Sequence, residues 1–158
     1  VTVITSARER LAILRRTRTV AIVGMSANPA RASHFVATYL GGVTDWTLWY
    51  VNPGATEILG QKVYPSLTDL PGPPDIVDTF RRVDELPAVA EAAIACGAET
   101  LWFQLGLRHD AAAGRAADAG LDVVQDRCLK IEHARFAGGL HLAGFDTGVI
   151  DARRERLV

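Results

Sequence analysis

Short apolar runs alternate with longer amphipathic stretches along most of this chain. Thr19–Val23 is continuous, apolar and rich in β-branched residues, the pattern of a strand covered on both faces. Thr47–Val51, residues 75–80, Thr100–Phe103 and residues 121–125 repeat that pattern and predict four more strands. Helical periodicity fills the gaps between them. Residues 6–15 form a leading helix with Ser6 as N-cap and Leu11 and Leu14 on one face, and residues 32–40 follow the first strand. In residues 84–96, Leu86, Val89, Ala93 and Cys96 recur at helical spacing and Gly97 closes the helix; residues 110–119 end at Gly120.

Asn52-Pro53-Gly54 ends the second strand with a strong turn signal. Residues 57–64 read as a compact connection with a short edge strand at Lys62-Val63. Residues 66–70 read as one helical turn before the Pro71-Gly-Pro-Pro74 break, and the chain beyond Asp126 is less regular. Strands alternating with helices through short loops imply an α/β fold. The expectation is a single Rossmann-like domain over residues 1–158, with its core at about 19–136. It has a five-stranded, mainly parallel sheet with helices on both faces.

Composition narrows the function classes. With 158 residues, 49% hydrophobic, the chain suits one domain, and such a domain buries about 70% of its unfolded surface. A net charge of -1 argues against a nucleic-acid or membrane-surface role. No apolar run approaches the roughly 20 residues that span a bilayer, and Arg8, Glu9 and Arg10 interrupt the N-terminus before any signal-peptide core. Cys96 and Cys128 offer neither a disulfide framework nor zinc spacing, which suits a reducing cytoplasm. The only lysines are Lys62 and Lys130, so any phosphate clamp would rest on arginine.

In an open parallel sheet, ligands bind beyond the carboxyl ends of the strands. The segments that follow the strands here are rich in unusual polar chemistry. The first strand runs into Gly24 and a small, polar stretch that leaves backbone N–H groups uncovered before a helix start, an arrangement that attracts phosphate. The third is followed by Phe80-Arg81-Arg82, the fourth by Gln104 to His109, and the fifth by Asp126 to Lys130. A nicotinamide dinucleotide site is disfavoured. Its fingerprint wants three glycines where only Gly24 stands, and an acidic residue ending the second strand where Asn52 stands.

Six segments occur in order: Val20-Ala-Ile-Val-Gly-Met-Ser-Ala-Asn-Pro-Ala-Arg-Ala-Ser33, Tyr50-Val-Asn-Pro53, Glu57-Ile-Leu-Gly-Gln-Lys-Val-Tyr-Pro-Ser66, Asp75-Ile-Val-Asp78 with Phe80-Arg-Arg82, Trp102-Phe-Gln-Leu-Gly106, and Asp126-Arg-Cys-Leu-Lys-Ile-Glu-His133. Together they resemble the small bacterial CoA-binding protein family, which is similar in turn to the N-terminal CoA-binding domain of the succinyl-CoA synthetase alpha subunit. The resemblance implies a Rossmann-like fold that binds CoA or an acyl-CoA and, for the small stand-alone members, no established catalytic activity. It implies that Gly24, Ser26, Ala27 and Asn28 line the turn beside the pyrophosphate, with Arg31 and Ser33 supplying a charged and a hydroxyl contact. Asn52 and Pro53 would border the adenosine. A lysine often follows that Asn-Pro pair in the family; Gly54 stands there instead, so either Arg81, Arg82 or Arg31 replaces the missing cation, or affinity is weak and the ligand is a different one.

Phe80 is the stacking candidate at the ligand edge, and Gln104 completes the set of candidate binding residues. Each has an ordinary alternative: the first turn is one any βα unit needs, and Arg81 and Arg82 precede Asp84 and Glu85 as a solvated helix start would. Trp46, Trp49 and Trp102 read as core. Cys128 is either a packed thiol or one placed to form a mixed disulfide with CoA, itself a thiol. No serine nucleophile, carboxylate pair or metal spacing accompanies His34, His109, His133 or His141, so no catalytic or metal-binding residue is assigned.

The expected function is therefore a non-catalytic binding or regulatory module for CoA. The alternatives are a small nicotinamide-dependent oxidoreductase or epimerase, and an interaction subunit with a vestigial pocket. The chain is too short after its last motif to be a complete acyl-CoA synthetase. A protein partner or homo-oligomer is compatible with this reading; nucleic acid and membrane are not expected.

Overall fold

The computed structural model describes residues 3–137. Its centre is the sheet. β1 (Thr19–Val23) has β2 (Thr47–Val51) on one side and β5 (Ile76–Thr79) on the other, all parallel. β6 (Thr100–Phe103) and β7 (Asp122–Val124) extend one flank in parallel. On the other flank β4 (Gln61–Tyr64) pairs parallel with β2, and β3 (Glu57–Ile58) pairs antiparallel with β4. The full order is β3-β4-β2-β1-β5-β6-β7.

Helices cover both faces, because strand residues alternate between two apolar clusters. Ile22, Tyr50, Ile76, Trp102 and Val124 meet α1 (Ala7–Arg16), α2 (Ala32–Val43) and α5 (Leu129–Ala137). Ala21, Val23, Val77, Leu101, Phe103 and Val123 meet α3 (Leu86–Ala95) and α4 (Asp110–Asp118), whose buried faces are largely alanine. The expected single α/β Rossmann-like domain is the observed fold.

The sheet has seven strands rather than five. The hairpin of β3 and β4 accounts for the extra pair: the expected edge strand at Lys62-Val63 is real, and it folds back on Glu57-Ile58. Its two-residue turn, Leu59-Gly60, has positive φ at both positions (52° and 72°), the geometry that matches strand twist. Asn-Gly or Asp-Gly would have announced such a turn; a leucine in the left-handed region does not.

The second difference is α5, which lies in the stretch read as irregular. Leu129, Glu132 and Phe136 are its buried stripe, and a carboxylate interrupts it. Glu132 is accommodated because Arg10 of α1, equally buried, places its Nε 3.4 Å away. α1 thus buries an arginine beside Ile13 and Leu14, while Leu11 is only partly covered. His141, and the expected domain beyond residue 137, lie outside the described residues.

Candidate functional site

The site begins with a close approach of two backbones. As β1 and β5 end, Gly24 passes against Phe80 so tightly that a Cβ on Gly24 would lie 2.1 Å from the Phe80 carbonyl oxygen. Its φ of +83° is also left-handed, so both sterics and conformation require glycine here. Phe80 and Gly24 form the floor of a cavity of about 660 Å³, which Ser26, Arg31, Ala32, Ser33, Arg81, Arg82 and Glu85 complete.

The loop from Gly24 to α2 is held by its own side chains. Ser26 N–H donates to Ser33 Oγ, Asn28 N–H to Ser26 Oγ, and Ala30 N–H to Asn28 Oδ1, each at 3.0 Å. The expectation that this stretch leaves its N–H groups uncovered is therefore corrected: these three are satisfied internally. The open donors lie one step further on, in the first turn of α2. Ser6 caps α1 and His109 caps α4 by accepting N–H bonds, whereas the N-cap of α2 is Arg31, which makes no side-chain cap. A guanidinium has no acceptor to offer. The positive end of α2, with Arg31 beside it, therefore faces the cavity uncapped.

The arginines divide by their partners. Arg82 is exposed and lies 3.4 Å from Asp84 and 3.7 Å from Glu85, so it neutralises the start of the next helical turn. Arg31 and Arg81 have no ion pair among the described residues. Arg81 also lines a second, more apolar cleft of about 380 Å³ formed by Val51, Pro53, Leu67, Val89 and Ala92. Arg81 and Glu85 are common to both, so the polar cavity and the apolar cleft adjoin. Glu85 was not foreseen; its spacing from Arg82 was the available signal.

Two expected binding residues have structural partners instead. Asn52 Nδ2 donates to the Met25 carbonyl at 2.6 Å and its Oδ1 accepts from Gly54 N–H at 2.8 Å, so the side chain braces the β1 loop against the β2 loop. Gln104 is buried and turns inward to donate to Asp78 Oδ1. Neither lines the two cavities. Ala27 and Asn28 stand exposed on the loop outside them, while Pro53 lines the apolar cleft.

Asp78 is wholly buried, and its second oxygen has no hydrogen-bond partner. Burial pushes its carboxyl up to about 7, against a smaller opposing effect of the Gln104 bond. Cys128 immediately precedes α5, and His133 lies within it. Burial raises the Cys128 thiol and lowers the His133 imidazolium, whose Nδ1 lies 3.1 Å from the Tyr39 hydroxyl. Trp102 is core, as expected, and Trp46 packs edge-on against His133. Among the described residues no cluster of side chains could hold a metal ion, and no helix is long and apolar enough to cross a membrane.

Comparison with known proteins agrees with this architecture. The chain is 38% identical over 122 residues to the uncharacterized protein YneT of Bacillus subtilis, covering 77% of this chain and 90% of that one. A hypothetical protein from Pyrococcus horikoshii superposes with a TM-score of 0.79 at 36% identity, over 85% of this chain and 94% of that structure. The dinucleotide-forming acetyl-coenzyme A synthetase 1 of Ca. Korarchaeum cryptofilum shares the fold at 21% identity and a TM-score of 0.65, over 72% of this chain and 27% of that one. Residues 18–134 match the model of the CoA binding domain. With that match spanning most of its length, and the uncapped α2 facing a glycine-floored cavity, the chain belongs to the CoA-binding domain family.

Proposed function

We propose that this protein binds CoA or an acyl-CoA across the carboxyl edge of its sheet, as a binding or regulatory module without chemistry of its own. One observation carries the reading: a polar cavity at the uncapped start of α2 adjoins an apolar cleft, and Arg81, without an ion pair among the described residues, lines both. CoA joins a flat base to a phosphorylated ribose and a pyrophosphate, and this pair of cavities is complementary to that order. The pyrophosphate lies at the first turn of α2, beside Ser26 and Arg31, where the helix dipole and open N–H groups favour an anion. The adenine takes the cleft of Pro53, Leu67 and Val89. Arg81, between the two, meets the ribose phosphate and supplies the cation that Gly54 does not.

Asn52 separates this reading from a nicotinamide enzyme. Both polar ends of its side chain already brace the loops, and it carries no charge, so the acidic group that grips a ribose diol is missing from the end of β2. Calorimetric titration with CoA, 3′-dephospho-CoA and NAD tests the proposal. Binding to CoA that weakens without the 3′-phosphate is the expected result. Equal or tighter binding of NAD would overturn it, and no binding to any of the three would favour an interaction subunit.

A further inference from the structure

The last of the ordered sequence segments ends at His133, which lines neither cavity of the carboxyl edge. The structure places it at the other end of the sheet. A separate cavity of about 520 Å³ opens where β1 and β2 begin, and His133 lines it together with Arg18, Asp45, Trp46 and Thr47. Thr19 and Thr47, the first residues of the two strands, are register partners, and Thr47 N–H donates to the Arg18 carbonyl at 2.8 Å. The loop before β1, with Arg18, and the loop before β2, with Asp45, are therefore adjoining walls of one cavity. Its volume is in the range of small-molecule sites.

Some of the lining groups are taken. The Thr17 hydroxyl donates to the Ile13 carbonyl and the Thr44 hydroxyl to that of Leu40, each at 2.7 Å, and Trp46 N–H donates to Thr44 Oγ1 at 3.2 Å. Others are open. His133 Nδ1 meets the Tyr39 hydroxyl at 3.1 Å, and its ring stands edge-on to Tyr39 and Trp46 with centroids 5.7 and 5.4 Å away, an aromatic row that ends at the cavity with Trp46 half-buried. His133 Nε2 and the Trp46 indole N–H have no hydrogen-bond partner among the described residues. Arg18 and Asp45 are exposed, and among the described residues neither has an ion pair, with the other or with any third group. A site for a simple anion is poorly served by Asp45, and a site for a simple cation by Arg18. Opposite charges that line one cavity without pairing match a ligand carrying both charges.

We propose that this cavity at the amino edge of the sheet is a second ligand site, for a zwitterionic α-amino acid with an aromatic side chain. The ligand carboxylate takes Arg18, whose fork of N–H donors fits a carboxylate bidentately. The ammonium group takes Asp45 on the neighbouring loop. The side chain packs on Trp46 and adds one more ring to the row of Tyr39, His133 and Trp46, where aromatic pairs gain beyond their buried area. The site is independent of the CoA reading, because it shares no residue with the cavities beyond the carboxyl ends of the strands.

Calorimetry of the full chain with four probes tests this. L-phenylalanine is expected to bind one site per chain. Phenethylamine lacks the carboxylate, 3-phenylpropionate lacks the ammonium group and L-alanine lacks the ring, and each should bind at least about 10-fold more weakly. Arg18→Ala and Asp45→Asn remove exposed side chains without ion pairs among the described residues, so both variants should fold. Each should lower the affinity for L-phenylalanine about 10-fold or more, while phenethylamine binds Arg18→Ala as it binds wild type. No saturable binding of L-phenylalanine, equal binding of the four probes, or wild-type affinity in both variants would overturn the site. L-alanine binding as tightly as L-phenylalanine would overturn the role of the aromatic row. No CoA enters these titrations, so their failure leaves the CoA reading standing.

Discussion

The carboxyl edge of the sheet has two halves built from the same kind of loop, and they end in opposite states. Beyond β6 and β7 the loops close on each other. Gly106 N–H donates to Asp126 Oδ1 at 2.7 Å, His109 N–H to Gln125 Oε1 at 2.7 Å, and Trp102 Nε1 to the Arg127 carbonyl at 2.8 Å. His109 then caps α4. Beyond β1 and β5 the loop is also braced from within, yet it stops short of the helix, and α2 begins on an arginine that cannot cap it. Both halves need left-handed residues, Gly24 on one side and Gly106 and Asp126 on the other. What distinguishes the open half from the closed one here is therefore where the hydrogen bonding ends. Irregular backbone and polar residues are common to both.

The sharpest way to break this comparison is to add one carbon to each half. Gly24→Ala would put a methyl group 2.1 Å from a backbone oxygen that has no freedom to retreat, at a left-handed φ. A loss of about 3 kcal/mol or more is expected, with loss of ligand binding. Gly106→Ala shares the unfavourable φ, +87°, but its methyl group would meet nothing within 4 Å. About 1 kcal/mol is expected there, and unchanged ligand affinity. Urea unfolding of both variants checks the pair; equal costs would mean that the Gly24–Phe80 approach is not what shapes the open half.

Asp78, on β5 and bonded to Gln104 beyond β6, ties the two halves together and gives the next largest effect. Its native carboxyl titrates at about 7, against an ordinary value of 3.8. The native state therefore keeps a proton that the unfolded chain has lost throughout that window. Stability from this group is complete below pH 4 and is lost as pH rises to about 7, by on the order of a few kcal/mol. Asp78→Asn should remove that slope, read as the difference between wild type and variant in urea midpoints at pH 5 and pH 8. Parallel midpoints in the two proteins would show that the buried oxygen is satisfied after all.

Much of this was legible in the sequence where one force dominates. β1, β2 and β6 match their apolar runs residue for residue, because strands covered on both faces carry an uninterrupted signal. Gly24, Ser26, Arg31, Ser33, Phe80, Arg81 and Arg82 were all named in advance and meet in one cavity. What was hidden depends on partners far along the chain. Glu132 reads as surface until Arg10, in another helix, is seen to neutralise it, so α5 went unread. Asn52 and Gln104 carry the right atoms for a ligand, and only the fold shows that Met25, Gly54 and Asp78 already hold them. The sequence could place a polar side chain at the edge, but not say with whom it was paired.

Arg81 tests the open half by subtraction. Among the described residues it has no ion pair to lose, so Arg81→Ala should leave stability within about 0.5 kcal/mol of wild type. CoA affinity should fall about 10- to 100-fold, the worth of a charge-assisted contact to phosphate. Dephospho-CoA should bind both proteins alike. Arg82→Ala, with its charge already shared by Asp84 and Glu85, is expected to change affinity by less than about 3-fold.

Addition is the smaller and more demanding test. Gly54 follows Pro53 on the rim of the apolar cleft, and no left-handed φ requires a glycine there. A Cβ at this position would approach Asn52 Oδ1 at 3.3 Å, tight but not prohibitive. Gly54→Lys should therefore fold, and its ammonium would lie on the same side of the cleft as the phosphate that Arg81 is proposed to meet. An affinity gain of about 10-fold is expected for CoA and none for dephospho-CoA, by calorimetry. A gain for both ligands would mean that the lysine attracts the pyrophosphate from a distance. No gain for either would place the ribose phosphate away from this rim, and with it the assignment of adenine to the cleft. Among the described residues no side chain caps α2, so in the proposed pose a cation added on the open half has a bound phosphate to meet; on the closed half, where His109 caps α4, it would not.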